Sequence, residues 1–172
     1  MSIKNKAFIG GIYEHPTRKA IDKSVAQLHA ESAAGALADA GLSPDDVDAY
    51  YCAGDAPGLG PLSMIDYMGL KNVRHMDATE TGGSSYVVHV GHAAQAIAMG
   101  KANIALITLA GRPRADGMAT GTAPRNYDSA APDVPFEFIY GPTVVNMYAM
   151  AARRHMYEFG TTSEQLAWIK VA

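Results

Sequence analysis

Residues 80–86 read Glu-Thr-Gly-Gly-Ser-Ser-Tyr, a short run in which most side chains can bind an anion or move a proton. Paired glycines let a ligand approach backbone. A helix that starts just after them turns its first N–H groups and the positive end of its dipole toward that ligand. Thr81, Gly82, Gly83, Ser84 and Ser85 are therefore candidate substrate-binding residues for an anion, an oxyanion or a thiolate. Ser84 and Ser85 are candidate nucleophiles only if a base lies within hydrogen-bond reach, because an unassisted hydroxyl attacks poorly. Glu80 is a candidate base if a semi-buried cleft raises its pKa; otherwise it is an exposed strand-end carboxylate. Tyr86 is a candidate proton donor, or an aromatic that packs in the first helical turn. The whole segment also reads as plain capping, with Thr81, Ser84 and Ser85 satisfying amides and the glycines making the bend.

Other chemistry-bearing residues are sparser. His89 and His92 stand at i and i+3, a spacing that can present two imidazoles to a metal. No third ligand accompanies them, so polar contacts within the helix explain them better and no metal site is assigned. Cys52 is the single cysteine, at a strand end with no helix N-terminus behind it, and reads as a structural thiol. Arg112, Arg114 and Arg125 can face the phosphates of a ligand or simply occupy a solvated loop. The GDAPGLGP stretch has neither the dinucleotide nor the Walker spacing.

The elements that must position these residues follow from periodicity. AFIGGIYE at 7–14 predicts a first, buried strand whose glycines allow close approach. From Ser24 a helix runs to about Ala40 on a stripe of Val25, Leu28, Ser32 and Ala36, with Gly41 to end it. VDAYYCAG predicts a second strand, SMIDYMGL a short helix and VRHMDATE a third strand. A helix from Ser84 to Met99 follows, closed by Gly100 and leading into the apolar strand NIALITLAG, an order that calls for a parallel sheet. With Val87, Val90, Gly91, Ala94, Ile97 and Ala98 on one face and little polarity opposite, this helix is expected to be central and buried nearly all round. Residues 112–135 predict a long loop, 142–159 a helix closed by Gly160, and Thr162 with Gln165 a capping box for another. EQLAWIKVA carries an apolar face to the last residue, so the polypeptide is expected to continue or to have lost its remainder.

Composition narrows the classes further. The chain has 172 residues, 48% hydrophobic, with 14 Lys+Arg against 17 Asp+Glu and a net charge of -3, which gives no electrostatic basis for nucleic-acid binding. Neither a membrane span nor a signal-peptide pattern is read, and one cysteine fits a reducing compartment, so the expectation is cytoplasmic. Charged residues make up only 18%, which suggests that part of the surface is interface.

The stretch GGSSYVVHVGHAAQAIAMGKANIALITLAG is similar to the thiolase segment in which a nucleophile-bearing helix, ending A-x-x-x-I-x-x-G, leads into an apolar strand. FIYGPTVVNMYAMAARRHMYEFGTTSEQLAWIKVA resembles the sterol-carrier-protein-x, or lipid-transfer, branch of that superfamily. Its Y-G-P, Tyr-Ala-Met-x-Ala-Arg-Arg and Gly-Thr-Thr-x-Glu-Gln-Leu-Ala runs occur in the same order. The opening FIGGIYEHPTRK and the helix ending A-L-x-x-A-G-L fit the branch too.

The resemblance implies an α/β, thiolase-like layered fold, with residues 1–172 as the N-terminal βαβαβ half around a buried central helix. The C-terminal half would lie outside this chain, and dimers would form through the N-terminal half. Thiolases place their acyl-accepting cysteine at the start of the central helix, and the family spacing brings that position to about Gly83, which cannot be acylated. The resemblance therefore implies a subunit acting on coenzyme A thioesters, as substrates rather than bound cofactors, by acyl transfer or by retro-aldol or Claisen-type cleavage. A small OB-fold partner accompanies some aldolase-like relatives. The alternative is a non-catalytic protein that binds acyl-CoA or lipid, or that supports a catalytic partner.

Overall fold

Ser24 lies in extended backbone and its hydroxyl accepts the Gln27 N–H at 3.1 Å, so α1 (Val25–Ala40) starts at the next residue. Gly41 ends it in the left-handed conformation. The computed structural model describes residues 3–118, 134–137, 140 and 143–171. It groups the chain into two compact units, 1–116 and 117–172.

In the first unit, β1 (Ala49–Tyr51), β2 (His75–Asp77) and β3 (Ala105–Ile107) form a parallel sheet of order β2-β1-β3, with Ala49 opposite both His75 and Ala105. Parallel strands need crossovers. They are supplied by α2 (Pro61–Met68) between β1 and β2 and by α3 (Ser85–Ala98) between β2 and β3. Side chains alternate across the central strand. Tyr50 packs with Ala33, Leu37, Met64 and Leu106 on one face, whereas Ala49 and Tyr51 pack with Ala93 and Ala102 on the other. Helices α1 and α2 thus cover one side and α3 the other, the layered α/β arrangement that the sequence predicts.

Three expectations need correction. Residues 7–14 form no strand, because a strand needs a ladder partner and, among the described residues, none pairs with them. Instead the segment crosses α1: Ile12 N–H donates to Asp39, and side-chain atoms added at Gly11 or Gly35 would collide with Ala36 and with the Tyr13 ring. Phe8 is left 83% exposed. The buried stripe of α1 is Leu28, His29, Ala33 and Leu37, since the flank carrying Ser32 and Ala36 faces this crossing segment rather than the sheet. Helix α3 is not buried all round: it turns Ser85, His89, Ala93 and Ala96 to the sheet, while Val87 is 76% exposed and Val90 is also open. The sheet covers one side only.

In the second unit, α4 (Val134–Glu137) takes in the last two positions of the expected 112–135 loop. Residues 119–133 of that loop lie outside the described residues. Helix α5 (Val144–Phe159) is capped by Thr143 and ends at Gly160, and α6 (Ser163–Val171) opens on the expected box. Thr162 Oγ1 accepts the Gln165 N–H and Gln165 Oε1 accepts the Thr162 N–H. No residue of α5 or α6 is buried.

Candidate functional site

Parallel strands bring their carboxyl ends to one edge, where open α/β sheets bind ligands. The loops leaving β1, β2 and β3 meet there. Gly54, after β1, donates its N–H to Glu80 Oε2 at 2.6 Å, and Ala110, after β3, donates to Asp55 Oδ2 at 2.9 Å. Tyr86, in the first turn of α3, donates its phenol to Asp55 Oδ1.

Glu80 is not the raised-pKa base that the sequence admits. Its carboxylate accepts the Gly54 and Gly82 amides and lies 3.2 Å from the Ser85 hydroxyl, and the two amides chiefly hold it below the usual range. It clamps two loops together. Gly54 permits the clamp, because a side-chain carbon there would stand 2.7 Å from Glu80 Oε2.

Ser85 is buried, accepts the Thr81 N–H at 2.8 Å and directs its hydroxyl at Gly82 O, 2.7 Å away. That proton is committed to bracing the turn. Ser84 holds the N-cap position without a side-chain cap, and its hydroxyl donates to Thr81 O at 3.0 Å. Thr81, Gly82, Gly83 and Ser84 are all exposed. Gly82 needs its positive φ of 69° to make the bend. Gly83 does not, and a carbon added at its Cα would meet nothing within 4 Å.

The remaining candidates are engaged by the fold. His89 is fully buried with Nε2 3.0 Å from Thr79 O, and His92 Nδ1 pairs with Asp77. Among the described residues, no group of three or more His, Cys, Asp or Glu is placed to hold a metal. Arg112 binds the Lys23 carbonyl and Asp116, which commits its guanidinium to its own loop, while Arg114 is exposed and Arg125 lies outside the described residues. Cys52 is fully buried, and burial pushes its thiol up to about 11.

Sequence reasoning missed Asp55, His29 and Thr108. An Asp in a Gly/Pro loop has the look of a turn residue. A histidine on the flank of a helix and a threonine at a strand end carry no spacing signal. Only the fold brings them to one place.

No family model matches the chain. It is 34% identical to an acetyl-CoA acetyltransferase of Methanothermobacter thermautotrophicus, with 87% of this chain and 39% of that protein covered. It is 31% identical to the 17-hydroxy-3-oxo-4-pregnene-20-carboxyl-CoA lyase of Mycobacterium tuberculosis (99% and 45% covered). It is 30% identical to a steroid side-chain-cleaving aldolase of Thermomonospora curvata (96% and 43%). Among solved structures, the Ltp2-ChsH2(DUF35) aldolase superposes with a TM-score of 0.77 at 28% identity, over 91% of this chain and 39% of that one. The chain thus belongs to the thiolase-like superfamily, as its parallel sheet and the glycine turn leading into α3 already indicate. Within it the chain is similar both to acetyl-CoA acetyltransferases and to a CoA lyase and a side-chain-cleaving aldolase, and it spans less than half the length of these relatives.

Proposed function

We propose that these residues are the N-terminal half of a subunit that binds acyl-CoA thioesters and breaks a carbon–carbon bond in retro-aldol fashion without a cysteine nucleophile. One observation carries this. At the start of α3, where the resemblance puts the acyl-accepting cysteine, stands Gly83 with open space beside it, while Cys52 is sealed in the core with its thiol pushed up to about 11. The thiolate is the reactive form, so a thiol with so high a pKa is inert at neutral pH. One relative is named as a steroid side-chain-cleaving aldolase and another as a carboxyl-CoA lyase, which supports the same direction.

In this reading the Gly83 and Ser84 N–H groups face the thioester oxygen as it gains enolate charge, in the manner of an oxyanion hole, since the Thr81, Gly82 and Ser85 amides are taken by Ser85 Oγ, Glu80 Oε1 and Gly82 O. Gly83 leaves room for an acyl chain to lie against the backbone. Coenzyme A enters as part of the substrate. A homodimer through the N-terminal half, a small OB-fold partner and a cytoplasmic location belong to the same proposal. The DUF35 component named with the aldolase structure supports the partner. Among the described residues no helix is long and apolar enough to cross a membrane.

Incubating the full-length polypeptide, with and without the OB-fold partner, with a β-hydroxyacyl-CoA tests this. The expected products are a ketone and a shortened acyl-CoA, with no acyl adduct in the intact mass. Coenzyme A-dependent thiolysis through an acylated cysteine would refute it. Tight acyl-CoA binding without turnover would favour the non-catalytic carrier instead.

A further inference from the structure

Behind the turn at Thr81 to Ser85 lies a line of neighbouring polar side chains. The Tyr86 phenol donates to Asp55 Oδ1, and His29 Nε2 stands 3.2 Å from Asp55 Oδ2 without its N–H aligned on that oxygen. His29 Nδ1 is 2.8 Å from Thr108 Oγ1, and the Tyr50 hydroxyl is 2.7 Å from the same oxygen. The line has a dry end and a wet end. His29 and Tyr50 are wholly buried, whereas Asp55 keeps 21% of its side chain exposed and Tyr86 is half-buried at the start of α3. Placing a histidine and a carboxylate together in the interior costs more than tying loops with neutral groups would require. A neutral Asn in place of Asp55 has one acceptor oxygen, so it can accept the Tyr86 phenol or the Ala110 amide but not both, as the two carboxylate oxygens do. Of the two, only the carboxylate can also take a proton at a useful pH.

We propose that Tyr86 is a catalytic residue that exchanges a proton with the substrate, and that Asp55, held by His29, is the positioning residue that receives and returns it. This rests on the retro-aldol reading above. The β-hydroxyl proton of the thioester passes to Tyr86 Oη as the phenolic proton moves to Asp55 Oδ1. The Cα–Cβ bond breaks, its electron pair forms the thioester enolate, and the β-carbon leaves as a ketone. The proton then returns from Asp55 through Tyr86 to the α-carbon, which yields the shortened acyl thioester. Atoms and charge balance without a co-reactant. One phenol can serve both ends of the step because the β-oxygen and the α-carbon are bonded to the same carbon.

The local electrostatics set the resting states. Burial, then Asp55, raises the Tyr86 phenol above its ordinary value, so it is protonated at rest. Burial opposes ionisation of Asp55, but the contacts with His29, Tyr86 and the Ala110 amide outweigh it and leave the carboxylate ionised, so the proton moves to it only in concert with the loss of the substrate's own. The ionisable groups facing Tyr86 are Asp55 and Glu80, from the loops after β1 and β2, and Cys52 from the end of β1; those facing Asp55 are His29 from α1, Tyr86, Glu80, and Tyr50 and Cys52 from β1 and its end.

The test uses the full-length polypeptide with its partner and 3-hydroxy-3-methylbutyryl-CoA, which would give acetone and acetyl-CoA. Tyr86→Phe and Asp55→Asn are expected to lower kcat on the order of 100-fold with KM little changed, and Asp55→Asn also to lower the melting temperature, because Asn offers one acceptor oxygen where Tyr86 and Ala110 use two. Asp55→Glu should recover much of the loss, and the acid limb of the wild-type pH–rate profile should vanish in Asp55→Asn. A folded Asp55→Asn protein with wild-type kcat and pH profile overturns the proposal. Should that variant not fold, full activity in Tyr86→Phe overturns it equally. If the wild type leaves the probe intact, the retro-aldol reading has failed, and the pair is judged by ring-labelled tyrosine NMR. The resonance that disappears in Tyr86→Phe should titrate at lower pH in Asp55→Asn, and an unchanged midpoint rules out the coupling.

Discussion

Asp77 ends β2 with its carboxylate tied to the Thr79 amide and hydroxyl and to His92. Burial works to raise its pKa, but these contacts prevail and bring it to about 2. Because the folded value lies below the unfolded one, the stabilisation is complete above about pH 4 and is lost as pH falls toward 2. Asp77→Asn is therefore expected to cost about 2 kcal/mol at pH 7, and far less at pH 2, in urea unfolding. Two glycines of the site separate in the same way. Gly54→Ala pushes a carbon against Glu80 and should cost on the order of 1–3 kcal/mol by opening the loop clamp. Gly83→Ala meets open space, so its melting temperature should stay near wild type while acyl-CoA binding, read by calorimetry, weakens. Unchanged binding in that variant would remove Gly83 from the proposed pocket.

Helix α3 shows how an element can be legible in outline and misread in orientation. Its span was clear from Ser84 and Gly100, and the structure gives Ser85–Ala98. Its buried face was not, because small and branched apolar residues circle the helix and no polar face marks the outside. Ser85 and His89 face the sheet because each finds partners there, in the turn at Thr81 and Gly82 and in Thr79 O. Removing the Ser85 hydroxyl strands the Thr81 amide, and Ser85→Ala is expected to destabilise by about 1–3 kcal/mol in thermal or urea unfolding. A loss below a few tenths of a kcal/mol would mean that water replaces the hydroxyl freely. The segment 7–14 is the counterpart case. Its apolar pattern is a strand pattern, yet a strand exists only where a partner offers the matching amides.

At the scale of the molecule, Phe8, Ile9 and Ile12 on the crossing segment and Val87 and Val90 on α3 leave much apolar surface in water within the first unit alone. Surfaces of this kind seek cover. The 172-residue chain by itself is therefore expected to self-associate in light scattering, and Phe8→Ser with Val87→Ser to reduce that association. A monodisperse monomer of the unaltered chain would contradict this. The sequence alone determined the element order, the helix caps, the parallel sheet, the glycine turn before α3 and the absence of a cysteine from it. These depend on residues near one another in the chain, where propensity, capping and periodicity act. Only the tertiary structure decided that Glu80 is a clamp, that the outer side of α3 is open, and that His29, Asp55, Tyr86 and Thr108 meet. Those residues come from separate segments of the chain, and only the layering of helices on the sheet makes them neighbours.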